Sequence, residues 1–232
     1  MRKFSSGITP LDAQLNGGFP SGSVILILEQ PGAGGDVFSF HFALTGVYNN
    51  EKVAYISTND TKEQVIENIK VYFTETDVID KIEIVDLVMP KLSGKVEDIK
   101  SYLKGKLDPL KYIRGMLSNS YDRIILNNLT YFLLQYSAQD IFELIDYMSL
   151  YVRKNDSIIF LLMAKGVTDH TFENRVKYMV DGIIELEIKE TENEIQRRLK
   201  ILKLKGVLVP KTIFRYDLTE KGVRMESLMR VL

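Results

Sequence analysis

Val24-Ile25-Leu26-Ile27-Leu28-Glu29-Gln30-Pro31-Gly32-Ala33-Gly34-Gly35-Asp36 decides the fold. Its first five residues are apolar on both faces and rich in β-branched side chains, as strands of a covered parallel sheet are. Glycine and proline then break the strand, and helical spacing resumes over about 36–49. Strand, glycine-rich loop and helix in that order is the setting of a phosphate-binding loop. The consensus GxxxxGK[ST] is met only in part, because its fixed positions read Glu29, Gly34, Gly35 and Asp36. Gly32 and Gly34 permit a tight loop with inward-pointing N–H groups. Gly35 stands where a lysine would reach the β- and γ-phosphates, and Asp36 where a hydroxyl would ligate magnesium. Glu29 and Asp36 also add negative charge, and each like-charge pair about 4 Å apart costs roughly 1–4 kcal/mol. The whole segment Glu29, Gln30, Pro31, Gly32, Ala33, Gly34, Gly35 and Asp36 is thus a degenerate version of the loop.

Further apolar runs follow: Val53–Ser57, Ile82–Val85, Arg123–Leu126 and Ile158–Met163. Helices are predicted between them at about 61–73, 95–104, 109–118 and 138–153. Thr61 with Gln64 and Ser137 with Asp140 read as capping boxes, and Asp108-Pro109 as a cap followed by proline at the first helical position. From 138 onward, Ile141, Leu144, Ile145, Met148 and Val152 share one helical face. Repeated strand–helix alternation implies a mostly parallel sheet flanked by helices. The last fifth reads differently, with strands at Ile183–Ile188, Ile195–Leu204 and Thr212–Leu218 joined by turns. The expected organisation is one domain over 1–232: a lead-in at 1–22, a parallel α/β core at 23–182 and antiparallel C-terminal strands at 183–232.

The 232 residues carry 30 Lys+Arg against 31 Asp+Glu, a balance unlike that of a nucleic-acid coat protein. No cysteine is present, which excludes disulfides, zinc fingers, thiolate nucleophiles and iron–sulfur clusters. Two histidines, His41 and His170, leave little for a metal site, and none is expected. The basic start Met1-Arg2-Lys3 is followed by turn-rich sequence rather than a signal-peptide core. No apolar run is long enough to span a membrane. A soluble, cytoplasmic protein with no membrane partner is expected.

Upstream of the loop stands Gly7-Ile8-Thr9-Pro10-Leu11-Asp12-Ala13-Gln14-Leu15-Asn16-Gly17-Gly18-Phe19-Pro20-Ser21-Gly22. At every fixed position this resembles the G-[IV]-x-x-L-D-x-x-L-x-G-G-[hydrophobic]-P-x-G lead-in of the KaiC/RadA branch of RecA-like ATPases, which includes archaeal KaiC-like proteins. Val53–Ser57, Tyr121–Leu126, Arg197–Gly206 and Phe214–Gly222 resemble later segments of that family, so the likeness covers essentially the whole chain. It implies a three-layer RecA-like P-loop NTPase core with an antiparallel C-terminal β extension. It also implies subunits that share a nucleotide at their interface.

The departures fall on the positions where the family does its chemistry. Asn59-Asp60 stands in place of a glutamate pair, and Asn127-Asn128 in place of a magnesium-linked aspartate. An amide is a poor general base and a poor partner for hydrated magnesium. Lys205 replaces the arginine of a K-x-R-G strand, keeping charge without the fork geometry. A pseudo-ATPase is therefore expected, not an enzyme, with ATP or ADP bound at most weakly and no cofactor required. Its expected role is that of a protein-interaction or regulatory module. It would partner itself, as a homo-oligomer in a ring-like arrangement, or an active paralogue as a hetero-oligomer. The alternatives are a non-hydrolysing nucleotide sensor and a RadA-paralogue-type recombination accessory. Nucleic acid is not the favoured ligand, because single-strand binding calls for a cationic groove with stacking aromatics.

The densest cationic stretch is Arg197, Arg198, Lys200, Lys203, Lys205 and Lys211. Strand alternation predicts Lys203 and Lys205 on one side and Arg198 and Lys200 on the other. Lys203 and Lys205 are the candidate interface residues, facing the carboxylates Glu29 and Asp36 of a neighbour. Asp169-His170 has the look of a catalytic dyad but no nucleophile to serve. His41 is expected to be a packing residue among Phe38, Phe40 and Phe42.

Overall fold

The computed structural model describes residues 2–74, 77–88, 108–192 and 194–226, so the helix expected over 95–104 lies outside the described residues. The lead-in forms a small unit of its own. Strand β1 (Lys3–Phe4) pairs antiparallel with β2 (Phe19–Pro20), and the short helix α1 (Thr9–Gln14) lies between them. Asp12 ties this unit together by accepting from the Ser6 and Gly7 N–H groups and from the Ser5 and Ser6 hydroxyls. Leu11 and Leu15 are fully buried. The conspicuous lead-in pattern is thus a packing device, which docks β1 and α1 against the sheet.

The main sheet is built from β3 (Ser23–Glu29), β4 (Val53–Ser57), β5 (Glu83–Asp86), β6 (Arg123–Asn127), β7 (Ile158–Ala164), β8 (Gly182–Thr191), β9 (Glu194–Leu204), β10 (Phe214–Thr219) and β11 (Gly222–Met225). Their order is β11-β10-β9-β8-β3-β7-β6-β4-β5. β3 is central, parallel to β7 on one side and β8 on the other. Ile25 and Ile27 enter one core cluster, and Val24, Leu26 and Leu28 the other. Both faces of the parallel part of the sheet are covered, which explains the unbroken apolar runs.

Helices α2 (Gly35–Tyr48) and α3 (Lys62–Tyr72) cover one face; α4 (Pro109–Met116), α5 (Ala138–Asn155) and α6 (His170–Met179) cover the other. Both capping boxes are present, and Asp108 caps α4 through the Leu110 and Lys111 N–H groups. The face Ile141, Leu144, Ile145, Met148 and Val152 of α5 is wholly buried. Phe42 of α2 stacks on Phe160 of β7 with centroids 3.8 Å apart.

β8 is where the sheet changes sense, parallel to β3 and antiparallel to β9. The β8–β9 register slips by one residue beside Ile183/Ile184. That bulge corrects the predicted alternation: Lys200 lies opposite Glu185 and Lys203 opposite Ile183, so both face the same side. Between α5 and β8 lies α6, a helix with only two buried apolar side chains, Phe172 and Val176. Asp169 is its N-cap, accepting from the Thr171 and Phe172 N–H groups. This accounts for the Asp169-His170 pair without any chemistry.

Candidate functional site

The loop Gln30–Gly34 joins the carboxyl end of β3 to α2, at the level where open α/β sheets bind ligands. Gly34, the N-cap of α2, has φ 86°. Beside the loop lies a cleft of about 590 Å³ whose walls include Glu29, Asp36, Asn68, Tyr72, Asn128 and Arg197. That volume falls in the usual range for a small-molecule pocket.

The Glu29 carboxylate does not point away from the loop. Its Oε2 accepts the Gly35 N–H at 2.8 Å, the first residue of α2. A Cβ on Gly35 would meet Glu29 Oε2 at 2.4 Å, so the carboxylate fills the space from which a lysine side chain would emerge. Burial first, and the negative charge of Asp36 second, push the Glu29 carboxyl up to about 7, against the opposing pull of the Gly35 N–H.

Asp36, although open to the cleft, is joined to a polar chain that runs into the core. The Asn127 amide donates to Asp36 Oδ1 at 2.5 Å and to the Tyr55 hydroxyl at 2.9 Å. Ser39 Oγ lies 3.4 Å from the same hydroxyl. The surrounding protein raises the Asp36 carboxyl, the Asn127 hydrogen bond opposes that rise, and the charge of Asp60 adds to it. Asn127 thus holds Asp36, as a donor from the end of β6 to a carboxylate on α2. Asn128 is committed elsewhere, its Oδ1 accepting the Thr130 N–H. Asp60 has its carboxyl raised by burial and by Asp86, while Asn59 is exposed on the β4–α3 turn.

The loop, Asp36 and Asn127-Asn128 therefore come together, with Asn59-Asp60 on the neighbouring strand end. Lys203 and Lys205 do not join them. Lys205 N–H bonds Asp181 O, and Asp181 N–H bonds Val24 O, which puts Lys205 level with the start of β3. The loop lies at the other end of that strand, roughly 16 Å away at about 3.3 Å per residue. Lys203 is already engaged: its Nζ donates to the carbonyls of Lys177, Tyr178 and Val180 at the end of α6, at 3.3, 3.1 and 2.6 Å. Of these two lysines Lys205 keeps the exposed ammonium, 3.7 Å from Asp181.

Arg197 is the cation that does reach the site, donating from Nε to Gly32 O at 3.1 Å. Sequence reading places it in the basic stretch but not at the loop, because the β3–β8 pairing that brings the β8–β9 hairpin alongside the loop joins segments about 157 positions apart. Lys165 and Lys200 are neutralised nearby by Glu185 and Glu187. Glu187 is held down at about 2; burial works against that, and the two lysines outweigh it. Among the described residues, no group of three or more His, Asp or Glu side chains comes together in a way that could hold a metal ion. No helix among them is long and apolar enough to cross a membrane.

A central strand running through a glycine loop into a helix, with a cleft at the carboxyl ends of the parallel strands, defines a RecA-like α/β core. The chain belongs to the KaiC ATPase family, whose model matches residues 4–229. It is 23% identical to a UPF0273 protein of Thermotoga maritima, over 96% of this chain and 95% of that one. It is 22% identical to a UPF0273 protein of Pyrococcus furiosus, over 96% and 93%. The circadian clock oscillator protein KaiC of Synechococcus elongatus is 20% identical over 98% of this chain, which corresponds to 43% of that longer protein. The crystal structure of a KaiC-like protein from Pyrococcus horikoshii has the same fold, with a TM-score of 0.76 at 18% identity over 97% of this chain and 99% of that one.

Proposed function

We propose that this chain is a non-hydrolysing member of the KaiC ATPase family that works as an interaction or regulatory subunit. The observation that carries the reading is the Glu29 carboxylate seated on the Gly35 N–H, where a nucleotide's phosphates would approach. The residues at the loop do not fit a magnesium triphosphate. Gly35 supplies no cation, Glu29 and Asp36 supply repulsion, and Asn127 is spent on Asp36. Purified protein is expected to give no magnesium-dependent ATP turnover above blank. Turnover of about 1 per second or more, abolished by substitutions within Gly32–Asp36, would overturn this reading.

A second reading, a nucleotide sensor without hydrolysis, is favoured by one feature, Arg197 at the cleft wall. Calorimetric titration with ADP and ATP, with and without magnesium, separates the two: measurable affinity that is lost in Arg197→Ala supports the sensor.

The interaction role rests on the opposite ends of the sheet carrying opposite charge. Glu29 and Asp36 line the cleft at the carboxyl ends of the parallel strands, and Lys205 is exposed at the other end. One copy can bring Lys205 to the cleft of the next only head to tail, an arrangement that closes into rings or runs on as filaments. Such charges steer and orient association more than they tighten it. Lys205→Glu is expected to lower the association state measured by light scattering at low salt, and Lys203→Gln to act mainly through α6 stability. A wild type that is monomeric at high concentration, or an oligomer indifferent to Lys205→Glu, would leave an external partner as the better reading.

A further inference from the structure

We infer that the Glu29 side chain is a resident occupant of the loop's anion seat, and that it excludes phosphate by filling the seat as well as by its charge. This rests on the reading of the loop as a non-working nucleotide site, and it makes that failure an active one. Three observations support it. Glu29 Oε2 takes the Gly35 N–H at 2.8 Å, so the donor that would meet an incoming anion is already satisfied. Both carboxylate oxygens lie within 2.8 Å of the point where a Gly35 Cβ would stand, so the group lies flat over the first turn of α2. The loop around it is braced from several directions. The Ala33 carbonyl accepts the Tyr216 hydroxyl at 2.6 Å, the Gly32 carbonyl accepts Arg197, and Gln30 Oε1 accepts the Ile188 N–H. A helix N-terminus is a ready anion site, and here the chain supplies the anion from the strand that leads into it. Gly35 is required for this arrangement, since any side chain there must displace the carboxylate.

The competition is testable with inorganic pyrophosphate as probe, titrated calorimetrically at pH 8. Wild type is expected to show no binding. Glu29→Gln removes the charge but keeps a side chain of the same shape over Gly35, whereas Glu29→Ala removes both. Losing one like charge beside the probe is worth about tenfold or more in affinity. Vacating the seat adds to that, so the expected order is alanine tighter than glutamine, and glutamine tighter than wild type. Equal gains in the two variants would mean that charge alone excludes the anion, and would overturn the occupancy. No gain in either, or tight binding by the wild type, would overturn it too. A measurement on the wild type alone covers the case in which the alanine variant folds poorly. The Gly35 amide should be protected from hydrogen exchange in phosphate-free buffer, and a freely exchanging Gly35 amide rejects the contact. ATP hydrolysis by the wild type would overturn the proposed function, while the Gly35 measurement still judges the seat on its own.

Discussion

Arg123→Ala is expected to destabilise the fold by about 3–5 kcal/mol, the usual cost of breaking a buried ion pair from one side. The Arg123 side chain has no solvent exposure, yet it sits at the first position of β6. Its Nε donates to Glu51, and its Nη1 donates to the carbonyls of Ser5 at 2.7 Å and Phe42 at 2.9 Å. The guanidinium also lies 4.3 Å from the Phe42 ring centroid and 5.4 Å from that of Phe4. It therefore joins the lead-in, α2 and β6 at one point, and α2 makes room for it with Gly46, where a Cβ would stand 2.7 Å from Arg123 Cδ. Glu51 would not be wholly abandoned, because Arg2 also reaches it at 3.1 Å. Arg123→Met should accordingly cost less than alanine, keeping the packing between the rings. Urea midpoints of the three proteins check the order, and an alanine variant within about 1 kcal/mol of wild type would contradict it.

The second large effect is on pH dependence. Glu29 has its carboxyl raised to about 7 in the folded protein, from an ordinary 4.5. The folded state then holds a proton that the unfolded chain has released over that interval, so stability falls as pH rises from about 4.5 to about 7 and is level above it. The loss reaches about 2–3 kcal/mol, slightly below the full value because Glu29 is partly solvated at the cleft. Asp36 on α2, Tyr216 on β10 and Arg197 on β9 surround the group. Asp36, also raised, adds slope of the same sign. Comparison with Glu29→Gln isolates the one carboxyl. That variant should match wild type near pH 4.5, exceed it in stability at pH 8, and lose most of the slope between. A wild type that gains stability from pH 5 to pH 8 relative to the variant would reverse the argument.

Much of the fold can be read directly from residue pattern, and the reasons differ by element. β4 lies where its apolar run predicts, and α3, α4 and α5 begin at their caps, because both signals are local. α6 escapes notice since its two buried apolar residues make too faint a periodicity, and its cap resembles half of a catalytic dyad. The bulge in β9 escapes notice because nothing within that strand marks the extra residue. At the site, Glu29, Asp36, Asn127 and Asn128 are legible as residues out of place for a nucleotide loop. What they do instead is not legible. The Glu29–Gly35 contact depends on how the loop folds back, and the Tyr55–Asn127–Asp36 chain on strands paired across 72 positions of sequence. Arg197 reaches Gly32 across 165 positions, for the same reason.

The central place of β3 has a consequence for the chain while it is being made. Ser23 pairs with Ile158, 135 positions on, and Ile25 with Gly182, 157 positions on. At roughly 5–20 residues per second, a ribosome takes about 7–27 s to deliver even the first of these neighbours. For most of that interval a strand with five consecutive apolar residues, Val24–Leu28, waits without either partner, its edges open to whatever else can pair with them. A fragment ending before β7 would be stranded in the same condition permanently. Soluble expression of this protein therefore depends on the strand being shielded until the second half of the chain arrives.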